Sequence, residues 1–143
     1  RLSLVGSEMC IRDRAQLIKR ARETNDYKAD WCANKVMEAC RKFVEEQGRE
    51  PVVACMGLAF KPNIDDLRES PAKYIASRIV SESRADVLIV EPNIAAHSSF
   101  HLTHYEEAYR RADIVVWLVR HTPFLSIPKD SSKIELDFCG VRK

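Results

Sequence analysis

Apolar residues along the chain first follow a helical spacing. Between Ala15 and Gly48, Leu17, Ile18 and Ala21 mark one face, and Trp31, Val36, Met37, Cys40, Phe43 and Val44 continue it. No Pro or Gly interrupts this run before Gly48, a natural stop just past a helix end. Asn25-Asp26 is a candidate kink or recap between two helices. Such an arm is long for a globular domain, so part of it is expected to pack on something else.

At Pro51 the pattern changes. Val52 to Met56, with Leu58, form a near-continuous apolar run, as in a strand covered on both faces of a parallel sheet. Gly57 near its end marks a close backbone approach. A polar loop, Lys61 to Glu69, leads to Ser70-Pro71, a helix start with Ser as N-cap and Pro at the first helical position. Ala72, Ile75, Ala76, Ile79 and Val80 are expected to form the buried stripe of that helix. Asp86–Glu91 predicts a second strand, His104–Ala112 a short helix, Asp113–Val119 a third strand and Lys133–Phe138 a fourth. The alternation predicts an α/β fold: a Rossmann-like, doubly wound, mostly parallel sheet preceded by a long helical arm. Ligands of such sheets bind beyond the carboxyl ends of the strands, here Phe60-Lys61, Glu91-Pro92-Asn93, Arg120-His121 and Asp137 onward. The first strand is followed by neither GxGxxG nor a Walker loop.

Composition narrows the class. The chain has 143 residues, 45% hydrophobic and 31% charged, with a formal charge of +2. That is ordinary globular sequence, with too little charge to suggest nucleic acid or an acidic membrane surface as a partner. No apolar run approaches a membrane span. Five cysteines, with no CxxC pair and no His at ligand spacing, suggest a reducing compartment and no disulfide framework. Residues 1–14, RLSLVGSEMCIRDR, fit poorly with the helical run that begins at Ala15. They resemble translated adapter sequence and are expected to be a non-native leader, the alternative being a genuine helix or loop.

The stretch GLAFKPNIDDLRESPA, residues 57–72, carries the most chemistry. Lys61 and Arg68 stand beside a helix N-terminus, a setting that suits anions and phosphates above all. They are expected to face one hollow and grip the oxygens of a diphosphate. Asp65 and Asp66 suit local loop bonding better than a metal site. His121 reads as a hydrogen-bonded structural residue at a strand end, and His97, His101 and His104 as loop residues. Trp31 and Trp117 read as packing residues.

This stretch resembles the C-terminal domain of the nucleotide-sugar dehydrogenases that oxidise UDP-glucose, GDP-mannose and their relatives. It looks most like the UDP-N-acetyl-D-mannosamine dehydrogenase branch. ARETNDYKADW resembles the end of that family's central helix, and IVEPN and ADIVVWLVRHTPF its second and third strands. The resemblance implies the end of a central, dimer-forming helical region over 15–48 and a UDP-sugar-binding domain over 49–143. It further implies a separate N-terminal domain that binds NAD, and a catalytic cysteine whose sequence context none of the cysteines here has.

By position, the resemblance gives Phe60 and Lys61 to the UDP-sugar and Arg68 to NAD, with no catalytic and no metal-binding residue in this chain. Relatives carry a cation two residues after Asp137, where this chain has Cys139, leaving Arg142 or Lys143 as substitutes. The implied function is the nucleotide-sugar-binding part of an NAD-dependent UDP-N-acetyl-D-mannosamine 6-dehydrogenase, a cytoplasmic homodimer making surface-polysaccharide precursors. The alternatives are another UDP-sugar such as UDP-glucose, or a non-catalytic nucleotide-binding or assembly module.

Overall fold

A computed structural model describes residues 2–143, with side chains described for 11–143. The character expected of residues 1–14, and that of Cys10, falls largely outside the described residues.

Helix α1 (Leu2–Gln47) is followed by β1 (Val52–Met56), α2 (Pro71–Glu82), β2 (Asp86–Val90), α3 (Tyr105–Arg111), β3 (Ile114–Trp117), a 3-10 turn (Thr122–Ser126) and β4 (Ile134–Asp137). The strands form one parallel sheet in the order β2-β1-β3-β4. From β1 the chain goes to one side for β2 and to the other for β3. The switch point of the sheet therefore lies between the carboxyl ends of β1 and β3.

Alternate strand residues supply two cores. Val53, Cys55, Ile89, Ile114 and Val116 pack under α1 and α2. Ala54, Met56, Leu88, Val90, Val115 and Trp117 pack against α3 and Phe124 of the 3-10 turn. Both faces are covered, which is why the strands read as continuous apolar runs rather than alternating ones. A parallel bridge from Ile89 to Leu102 lies along β2, beyond the named strands.

Helix α1 is unbroken through Asn25-Asp26, against the expected kink. A sharp bend needs Pro, Gly or an inserted group, and neither Pro nor Gly occurs between Ala15 and Gly48. It ends as expected: Gly48 adopts φ +67 and its N–H bonds the Val44 carbonyl at 2.9 Å. Arg49 then forms a bidentate pair with Asp113 at 2.7 and 2.8 Å, fixing the helix exit to the start of β3. Among the described residues, only the second half of α1 joins the core, through Ala29, Cys32, Ala33, Val36, Cys40 and Phe43. Residues 11–28 are exposed throughout, with Leu17 68% and Ile18 57% accessible. The buried half is tied to α2 by Arg78, which meets Asp30 at 2.9 Å while Glu82 of its own helix braces it at 2.7 Å, and by Tyr74 Oη on Asp30 at 2.7 Å.

Trp117 is fully buried, as expected of a packing residue. Trp31 is not: it is 44% exposed and meets Phe138 edge to face at 6.0 Å. At its position α1 turns a flank, not its core face, toward the sheet.

Candidate functional site

The site grows from the way β1 ends. Gly57 adopts φ +99, and a Cβ there would stand 2.7 Å from Val119 Cβ. Only glycine lets the β1 exit run this close to the β3 exit. The two exits thereby form the walls of a hollow of about 270 Å3 at the switch point. Phe60 and Pro62 come from the first exit, Val119 and Arg120 from the second; Pro71 at the start of α2 and Cys139 after β4 complete it. A larger groove of about 590 Å3 lies at the opposite end of the sheet, between the last turns of α1 and the end of α2. It is remote from the strand ends where this architecture binds ligands.

The expected residues divide. Phe60 lines the hollow and is 51% exposed, an aromatic face open to a ligand. Lys61 is exposed next to it, its ammonium 5.8 Å from the Phe60 ring centroid. Arg68 forms a fork on Asp66 at 3.0 and 2.9 Å, with its side chain 89% accessible. That guanidinium holds the Asp66 carboxyl down to about 2. Asp66 also accepts the Arg68 N–H, and its carbonyl accepts the Phe60 N–H at 2.9 Å, closing the loop on itself. The local role expected of this aspartate is what the geometry gives. Neither Lys61 nor Arg68 lines the hollow. The cation that does is Arg120, one turn of chain past β3, which has no ion-pair partner among the described residues.

The cation implied two residues after Asp137 is not supplied by Arg142, whose guanidinium is engaged with Glu135 at 2.5 Å and with the Ile127 carbonyl at 2.6 Å. Asp137 is itself structural. Its carboxylate accepts the N–H groups of Cys139, Gly140, Val141 and Arg142, closing the turn after β4. Burial and the nearby Asp137 charge push the Cys139 thiol up to about 12, and burial pushes Cys55 to about 12 and Cys40 to about 11. Burial thus disfavours the thiolate at each of them, the form that nucleophilic chemistry requires.

His121 is the hydrogen-bonded strand-end residue expected, with side-chain exposure of 0%. Its partner Glu91 is equally buried and accepts the Leu58 and Ala59 N–H groups at 2.8 and 2.9 Å. In a dinucleotide-binding fold, amides at this turn receive phosphate; here a carboxylate already holds them. Burial pushes the Glu91 carboxyl up, but the bonds from His121, Leu58 and Asn93 outweigh it and leave it below its ordinary value. Sequence reading singled out the segment Glu91–Asn93 by position but not this bonding. The signal was an acidic residue closing an otherwise apolar strand. His97 and His101 lie in irregular chain, and His104 stands at the N-cap position of α3 without a side-chain capping bond.

Residues 54–138 match the sequence profile described as UDP-glucose/GDP-mannose dehydrogenase family, UDP binding domain. The chain is 44% identical over 133 residues to an NDP-N-acetyl-D-galactosaminuronic acid dehydrogenase of Ralstonia nicotianae, covering 89% of this chain and 30% of that protein. It is 42% identical over 125 residues to the UDP-N-acetyl-D-mannosamine dehydrogenase of Salmonella typhi, covering 82% and 30%. The chain thus spans under a third of these relatives. Among solved structures, the UDP-D-ManNAc dehydrogenase from Pyrococcus horikoshii matches with a TM-score of 0.62 at 26% identity, over 80% of this chain and 28% of that one. The NDP-N-acetyl-D-galactosaminuronic acid dehydrogenase from Methanosarcina mazei Go1 matches at 0.63 and 25%, over 78% and 23%.

Proposed function

Because the chain belongs to the UDP-glucose/GDP-mannose dehydrogenase family, through its UDP-binding domain, we propose that it is the nucleotide-sugar-binding part of an NAD-dependent UDP-N-acetyl-D-mannosamine 6-dehydrogenase. The whole enzyme oxidises the C6 alcohol of the sugar to a carboxylate in two steps and feeds surface-polysaccharide synthesis. The observation that carries the reading is the hollow at the β1/β3 switch point, which lies inside the family-matched segment. Phe60 offers a flat apolar face to the nucleotide, and Lys61 offers charge to the diphosphate or sugar. The domain's work is positional: it clamps the nucleotide-sugar and excludes water while the alcohol reacts.

NAD is the oxidant this reading requires. The β1 turn does not fit its diphosphate, since the Leu58 and Ala59 amides are held by Glu91. We therefore assign NAD to a separate N-terminal domain and give this chain one contact to it, Arg68. The catalytic cysteine of such an enzyme lies upstream of the central helix, so this chain alone is silent as a dehydrogenase. The exposed half of α1, with Leu17 and Ile18 uncovered, supports self-association through the arm as a homodimer. The cysteines at 32, 40, 55 and 139 are free, which supports a cytoplasmic location. No described helix is long and apolar enough to cross a membrane.

The test is Lys61→Ala in an enzyme that contains this domain together with the NAD domain. We expect kcat/KM for UDP-N-acetyl-D-mannosamine to fall, and an unchanged value counts against the assignment. The same enzyme offered UDP-glucose or UDP-N-acetyl-D-galactosamine decides the sugar. The 44% identity to an N-acetyl-D-galactosaminuronic acid dehydrogenase favours the latter as second candidate. A purely non-catalytic assembly module would bind no nucleotide and still self-associate.

A further inference from the structure

The loop that carries Phe60 and Lys61 is anchored at both ends by one buried pair, Glu91 and His121. On the near side, Glu91 Oε2 accepts the Leu58 and Ala59 N–H groups at 2.8 and 2.9 Å. On the far side, the Asn63 N–H donates to His121 Nδ1 at 2.9 Å. A backbone N–H can only donate, so Nδ1 carries no proton, and the imidazole proton is on Nε2, 3.0 Å from Glu91 Oε2. Asn93 joins the two: its N–H and its amide donate to Glu91 Oε1 at 3.0 and 3.1 Å, and the same amide reaches His121 Nδ1 at 3.0 Å. Asn63 is held in a left-handed conformation, φ 60, with its side-chain oxygen on the Thr122 N–H at 2.8 Å. The loops leaving β1, β2 and β3 thus converge on one carboxylate and one neutral imidazole. Neither side chain lines the hollow.

We propose that Glu91 and His121 are positioning residues of the nucleotide-sugar site: the buried pair fixes the Leu58–Asn63 segment between its two anchors, and so sets Phe60 and Lys61 for a nucleoside diphosphate. The role in binding rests on the proposed contacts of Phe60 and Lys61 with the nucleotide-sugar; the anchoring itself does not. The chemistry is specific to the imidazole. Of the Leu58–Asn63 segment, the carboxylate reaches only Leu58 and Ala59, and the imidazole acceptor reaches only Asn63. Histidine joins them because its two nitrogens stand on opposite sides of one rigid ring, one donating and one accepting. Burial makes each bond costly to leave unmade, so the loop has little alternative to this conformation.

Two variants of similar size separate anchoring from simple loss of packing. His121→Asn keeps an acceptor where Nδ1 stands and loses the donor to Glu91. His121→Gln keeps a donor where Nε2 stands and loses the acceptor for Asn63. Both leave a comparable void beside Phe124. The readouts on the 143-residue chain are amide hydrogen exchange at Leu58, Ala59 and Asn63, and NMR titration with UDP.

We expect exchange at Asn63 to quicken at least about tenfold in His121→Gln and to stay within about threefold of wild type in His121→Asn. UDP affinity is expected to follow, falling about tenfold in the Gln variant and far less in the Asn variant. Equal weakening in both variants, or wild-type exchange at Asn63 in His121→Gln, overturns the proposal, because a void alone then accounts for the effect. Glu91→Gln should release Leu58 and Ala59 first, and unchanged exchange there overturns it equally. If wild type binds no UDP while the exchange pattern holds, the nucleotide reading fails and the two-sided anchor stands.

Discussion

Arg142 Nε lies 2.5 Å from Glu135 Oε2, and its guanidinium carbon sits 4.7 Å from the centre of the Trp117 ring. The same carboxylate accepts Trp117 Nε1 at 2.9 Å and the Tyr109 hydroxyl at 2.9 Å. The last residues of the chain are thereby stapled across β4 to α3 and the core of β3. A basic residue that local sequence offers to a ligand is spent on closing the fold. Arg142→Ala leaves a largely buried carboxylate without its cation and is expected to lower stability by about 3 kcal/mol. Urea unfolding measures it. A loss well under about 1 kcal/mol would mean that water or a proton replaces the guanidinium at little cost.

Gly57 makes a separate prediction for the hollow. Gly57→Ala meets both an unfavourable positive φ and the Val119 side chain, and should cost about 3 kcal/mol in total. Adding Val119→Ala should recover the contact part and leave the backbone part. If the double variant is no more stable than the sum of the two single losses, the two strand exits do not touch there in solution.

Acid should unfold the protein through its held carboxylates. Burial raises Glu91, Glu135 and Asp137, but hydrogen bonding outweighs it, and each is lowered from its ordinary value in the folded state. The unfolded chain therefore takes up these protons first, so stability is full above the unfolded values and falls as pH drops toward the folded ones. Urea midpoints should be flat near neutrality and decline below about pH 5. Asp137→Asn should lower stability at pH 7 and flatten the acid decline. A decline of unchanged steepness would show that Asp137 does not contribute.

The exposed half of α1 predicts independence of the core. Residues 11–28 are solvent-exposed, so a chain beginning at residue 25 should keep its melting temperature within about 2 °C. Under the homodimer reading it should also lose self-association in sedimentation. A dimer that survives truncation moves the interface elsewhere.

By itself, the sequence determined the order and kind of nearly every element. Covered strands announce themselves as apolar runs, and Gly48, Ser70 and Pro71 state where helices stop and start. These signals are local, because a helix end or a doubly covered strand makes its demands on its own residues. The sequence also pointed to the carboxyl ends of the strands and singled out Phe60. Tertiary structure alone decided which side chains meet there. Arg68 turns to Asp66, two residues away, rather than to the hollow, and Arg142 turns to Glu135. Arg120 enters the hollow because β3 lies beside β1, a neighbour relation that no spacing encodes. Glu91 and His121 find one another across 30 residues only because parallel strands deliver both to one edge. Charged side chains choose partners through space, whereas strands and caps are chosen along the chain, and that difference separates what could be read from what had to be seen.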